Sequence, residues 1–147
     1  MRAKPSSPWW AIERDRLLFE GGARSAFPTL VRSAKHGAIF GYEVDIEVPY
    51  YESRRVSVLF YSHRSRNAPM VLADGPTDSP HRHSLHGRRQ LCIWHPEAVR
   101  AERWVWEDGL LTLLGLTRMH LFREAYWREF GEWTGPEAAH GDPEEAA

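Results

Sequence analysis

One cysteine, Cys92, is all that 147 residues carry. A single thiol excludes an internal disulfide framework and a zinc site built from cysteines alone, and it fits a reducing, cytoplasmic compartment. Long apolar runs are also missing. The greasiest stretch, 110–116, is interrupted by Thr112 and Gly115 and falls far short of the ~20 residues that span a bilayer. The start, MRAKPSSPWW, has no apolar segment of the secretory type, so a soluble protein without membrane attachment is expected. Neither sign of charge prevails: nineteen basic against twenty acidic residues leave a net charge of −1, which gives no footprint for nucleic acid. No internal repeat or linker interrupts the chain, and its length suits one domain. Hydrophobic residues at 42% and charged residues at 27% exclude general disorder. What is plentiful is tryptophan. Seven of them point to a large core or an interaction surface.

Hydrophobic periodicity divides the chain. Residues 1–8 read as a polar lead, and 9–20 as an amphipathic helix carrying Trp9, Ile12, Leu17, Leu18 and Phe19, closed by Gly21-Gly22. From 38 to 48 every second residue is apolar, with Tyr42, Val44, Ile46 and Val48 on one side and Glu43, Asp45 and Glu47 on the other. That is a half-buried strand with a solvated acidic face. A second strand over 55–62 and a short connection predict an antiparallel hairpin, and Met70-Val71-Leu72 offers a third strand. Residues 74–89 lose all periodicity and read as a long surface loop rich in His and Arg. The last element is a helix over 105–130, with Leu110, Leu111, Leu114, Leu121, Phe122 and Ala125 in a stripe so wide that packing on more than one side is expected. Gly131 caps it, and 137–147 reads as a flexible acidic tail.

Chemistry concentrates near the thiol. Arg82, Arg88 and Arg89 precede Cys92, and His81, His83, His86 and His95 flank it. Nearby positive charge stabilises the thiolate, the reactive form. The same residues admit other readings. Cys92 between Leu91 and Ile93 can be a small buried hydrophobe. Cysteine with three of the histidines can form a tetrahedral zinc site, although the spacing lies in a loop and follows no zinc signature. A Cys–His hydrolase would need a third, orienting group such as Asp74 or Asp78. His36, His63, His120 and His140 are scattered and read as structural or exposed. No glycine-rich phosphate cradle is present.

Three stretches resemble one family. Ser79-Pro80-His81-Arg82-His83 followed by Leu91-Cys92-Ile93-Trp94-His95-Pro96 is the first. Arg103-Trp104 through Asp108-Gly109-Leu110-Leu111, leading into His120-Leu121-Phe122-Arg123-Glu124-Ala125-Tyr126-Trp127, is the second. Gly131-Glu132-Trp133-Thr134-Gly135-Pro136 is the third. Over roughly the last seventy residues the chain resembles the E2-like (ubiquitin-conjugating-like) proteins of bacterial antiphage defence, in particular those of type II CBASS systems. The first half matches in element order alone.

The resemblance implies an α+β, minimal UBC-like fold over 9–136: an N-terminal helix, an antiparallel β-meander, a loop bearing the catalytic cysteine, and a long C-terminal helix. It implies that Cys92 forms a thioester with a protein C-terminus, without a cofactor or metal. The donor would be a nucleotidyltransferase or a ubiquitin-like protein, with an E1-like enzyme as a possible activator. The His-Pro-Asn triplet of eukaryotic E2 enzymes is absent. His81 stands as the oxyanion-binding candidate, and His83 occupies a place where the family carries an aromatic. Two alternatives stay open: a non-catalytic E2-like interaction module and a His/Cys metal-binding module.

Overall fold

The same alternation that marks the strands also builds the core. The computed structural model describes residues 7–33, 37–84, 86–95 and 97–135. Its elements are α1 (Glu13–Phe19), α2 (Ala23–Ala26), β1 (Val31–Arg32), β2 (Ile39–Ile46), β3 (Arg54–Tyr61), β4 (Met70–Ala73) and α3 (Gly109–Phe130). The strands form one antiparallel sheet in the order β1-β2-β3-β4, a meander in an α+β domain.

Register puts Phe40 opposite Phe60, Tyr42 opposite Val58, and Val44 opposite Val56. Val71 and Ala73 of β4 continue the last two rows. All of these are buried on one face, because side chains two apart share a side of the pleat. Glu43, Asp45 and Glu47 are exposed, as their alternation predicts. Leu110, Leu113, Leu114 and Leu121 of α3 join that apolar face in a single core, together with Phe19, Trp10 and Trp104. The indole of Trp104, 1% exposed, also donates a hydrogen bond to the Gly109 carbonyl (2.9 Å), so its polar atom is satisfied inside the core.

The expected helix over 9–20 is divided. A 3-10 turn at Trp9–Ala11 is separated from α1 by Ile12 in extended conformation. Both tryptophans are recruited inward by this break: Trp10 stacks on Phe40 while Trp9 meets Phe19, Phe60 and Trp106. A continuous helix would turn neighbours ~100° apart. The long helix likewise starts at Gly109, after a 3-10 turn at Trp106–Asp108 whose Asp108 carboxylate accepts from the Val105 N–H (3.0 Å). Packing of α3 is one-sided, against expectation. Leu111, Leu116, Met119 and Phe130 are exposed, while the buried stripe includes the polar residues Thr117, His120 and Glu124. Residues 1–6 of the lead and the tail 137–147 lie outside the described residues. No described helix is long and apolar enough to cross a membrane.

Candidate active site

Backbone pairing, not a free loop, carries Cys92. Leu91 N–H donates to the Val71 carbonyl of β4 and Ala73 N–H to the Arg89 carbonyl, so 89–91 runs along the sheet edge. Residues 81–83 then pair with 90–92. Cys92 N–H donates to His81 C=O (2.8 Å) and His83 N–H to Gln90 C=O (2.9 Å), around an antiparallel bridge between Arg82 and Leu91. Ahead of this bridge, Arg88 binds the carbonyls of Thr77 and Ser79, and the Ser79 hydroxyl accepts from the His81 N–H. The 74–89 segment is largely exposed, as its composition predicts, but Ser79, His81 and Arg82 are buried.

Alternation at that bridge separates the charged neighbours of Cys92. Opposed residues share a side, so Arg82 goes with Leu91, and His81 goes with Cys92. His81 and Cys92 line a cavity of about 900 Å³, whose wall includes Trp94, Trp104, His120 and Trp133. Arg82 points instead into an ion pair with Glu124 in which both side chains have no exposure. Its Nε donates to Oε2 (2.9 Å) and its Nη2 to Oε1 (2.8 Å), while Nη1 donates to the Ala73 carbonyl and Nη2 also to that of Asp74. One guanidinium thus ties the end of β4 and the cysteine-bearing hairpin to α3.

Glu124 has a second partner. His120, one helical turn earlier and 4% exposed, holds Nε2 3.5 Å from Oε2, and that nitrogen makes no hydrogen bond among the described residues. Burial alone would raise the Glu124 carboxyl. The facing His120 and Arg82 outweigh it and hold the group at about 2. Trp133 closes this corner. Past the left-handed cap Gly131 the chain turns back, and the indole stacks on His81 (3.7 Å between centroids) and stands edge-on to His120 (5.5 Å).

The thiol itself departs from expectation. Cys92 is 6% exposed, and burial, reinforced by the Glu124 carboxylate and only partly offset by Arg88, pushes it up to about 11. Of the basic residues that precede it in sequence, Arg82 is paired with Glu124, and Arg88, fixed on backbone carbonyls, lowers the thiol by less than burial and Glu124 raise it. His83 is not with Cys92 either. It is exposed beside a second cavity of about 380 Å³, where partial burial and then the charge of Arg64 lower its titration. Asp78 is held by Arg128, and Asp74 receives the Arg55 N–H, so neither serves an imidazole. The carboxylate that does face an imidazole is Glu124.

Among the described residues no group of three His, Cys, Asp or Glu is placed to hold a metal ion. The side chain of His86 lies outside the described residues. No family model matches this chain, and neither the curated proteins nor the solved structures contain a significant match.

His120, Glu124 and Trp133 are site residues that pattern reading did not single out. The signal was present. Positions 110, 113/114, 117, 120/121 and 124 continue one helical stripe, and three polar residues inside it mark a buried polar patch.

Proposed function

We propose that this chain is an E2-like acyl carrier of the UBC-like type, in which Cys92 accepts the C-terminal acyl group of a protein as a thioester and passes it to an amine or thiol. The observation that carries this reading is the placement of the lone thiol on the wall of an open cavity that three imidazoles, His81, His95 and His120, also line. The meander followed by a cysteine-bearing hairpin and a long helix supports it in element order. The Cys92 sulfur attacks the carbonyl carbon of a donor thioester, the carbonyl oxygen takes negative charge, and collapse expels the donor thiolate. His81 is the assigned donor to that oxyanion. With the thiol near 11, roughly one molecule in 10⁴ is thiolate at pH 7, so the resting protein is protected and deprotonation belongs to the encounter. The resemblance to antiphage defence proteins makes a nucleotidyltransferase or a ubiquitin-like protein the natural donor.

The test is direct. The protein is incubated with the products of its neighbouring genes and ATP. The expected result is an adduct that thiol reductant cleaves, present in wild type and absent in Cys92→Ala, with Cys92→Ser trapping a reductant-stable ester. Absence of any adduct would favour the second reading, a non-catalytic interaction module. The low exposure of Cys92 and its raised titration favour that module.

A further inference from the structure

We propose that His120 is the base that takes the proton of Cys92, and that Glu124 is the residue that positions it. The geometry has three parts. His120 and Cys92 line the same cavity from different elements, α3 and the 90–92 strand. His120 is 4% exposed, and its Nε2 has Oε2 of the Glu124 carboxylate, at 3.5 Å, as its facing polar group. Glu124 is itself fixed by the Arg82 fork. A neutral imidazole with its N–H on Nε2, turned to the carboxylate, leaves Nδ1 as a proton acceptor.

This assignment rests on the reading of Cys92 as an acyl acceptor. It supplies what that reading lacks, because a thiol raised by burial and by the Glu124 carboxylate more than Arg88 lowers it needs a proton acceptor at the moment of attack. In the step, the Sγ–H proton moves to Nδ1 of His120 as the Sγ–carbon bond forms. The donor's carbon–sulfur bond then breaks, and the departing sulfur takes the proton back. One thioester and one thiol are consumed, one of each is produced, and no oxidant or outside proton is required. The groups nearest this pair are Glu124 and, at 3.5 Å from it, Arg128 on α3, with Arg82 and His81 from the 79–83 segment and Arg88 acting on the thiol, while His95, Glu97, Arg100, Glu102, Arg103, Asp108 and Arg123 line the rest of the cavity.

The experiment uses the full chain and a small alkyl thioester of N-acetylglycine, with acylation of the single cysteine followed by intact mass from pH 5 to 11. Wild type is expected to show a reactive limb well below the thiol's own titration. His120→Asn removes that limb and lowers the rate at pH 7 about 100-fold, while the two proteins converge toward pH 11. His81→Gln lowers the rate at every pH but keeps the limb. Glu124→Gln weakens the limb, and its folding is checked by circular dichroism. A His120→Asn profile that superimposes on wild type, or a limb removed by His81→Gln instead, overturns the proposal. Where the variants do not fold, wild type decides alone: a rate rising tenfold per pH unit to about 11, with no lower limb, overturns it equally. Because the probe needs no partner, an intact limb without protein adducts refutes only the conjugation reading, and adducts without the limb refute only the role of His120.

Discussion

Replacing Arg82 by methionine tests the ion pair that locks the cysteine-bearing hairpin to α3. The substitution keeps the aliphatic stem and removes a guanidinium that makes three contacts with Glu124 and two with backbone carbonyls. Glu124, with no exposed side-chain surface, then loses every direct guanidinium hydrogen bond from Arg82 and keeps His120 and Arg128, each at 3.5 Å. Breaking a buried pair from one side costs about 3–5 kcal/mol, whereas an exposed pair is worth at most about 1 kcal/mol. With a urea slope of about 2 kcal/mol/M for a chain this size, the midpoint falls by roughly 2 M. The pH dependence weakens as well. In wild type the Glu124 carboxyl sits at about 2, below its ordinary value of 4.5, so its stabilisation is complete above 4.5 and is lost as pH falls toward 2. In Arg82→Met one of the two groups that hold the carboxyl down is gone while His120 remains, so the carboxyl moves up from about 2 and the stabilisation it supplies above 4.5 shrinks. The two proteins therefore approach one another as pH falls from 7 to 3. Urea titrations followed by tryptophan fluorescence and circular dichroism measure this, and the double variant Arg82→Met/Glu124→Leu is expected to recover most of the loss. A cost below 1 kcal/mol, or a gap that does not change with pH, refutes the reasoning.

Two further outcomes follow from the same contacts. Tyr42→Phe removes a buried hydroxyl that donates to Oε2 of Glu20 (2.8 Å), a carboxylate also held by Arg32 and Arg24; the expected loss is about 2 kcal/mol, read from the urea midpoint. Gly41→Ala sets a methyl group 2.6 Å from the Val58 carbonyl oxygen and 2.7 Å from the Leu59 side chain, so the β2–β3 ladder must spread; a lower melting temperature and faster amide exchange across these two strands are expected, and an unchanged protein contradicts the close approach.

The meander was the legible part of the fold. Strict alternation over Tyr42–Ile46 and Val56–Phe60 fixes which side faces inward, because a slip of one residue would bury Glu43 and Asp45. The division of the first helix at Ile12 was not legible, since it depends on where Trp9 and Trp10 find partners across the sheet. At the site, Cys92 and His81 were readable as neighbours from the short segments that bear them. The electrostatics were not legible, because proximity in sequence is not proximity in space. Strand alternation sends Arg82 away from the sulfur, and its partner lies forty-two positions later on α3. His120 and Glu124 were visible only as polar intrusions in an apolar stripe, a pattern that signals burial without showing what is faced.

The central claim is that Cys92 reacts from the folded protein, through the cavity, although its surface is 6% exposed. The most direct measurement is the rate of Cys92 alkylation by iodoacetamide as urea is raised toward, but not into, the unfolding transition. Reaction through the cavity predicts a measurable rate in native buffer that is nearly independent of urea. A rate that instead climbs with the full denaturant dependence of global unfolding would mean that the sulfur is reached only when the chain opens, and would contradict the account.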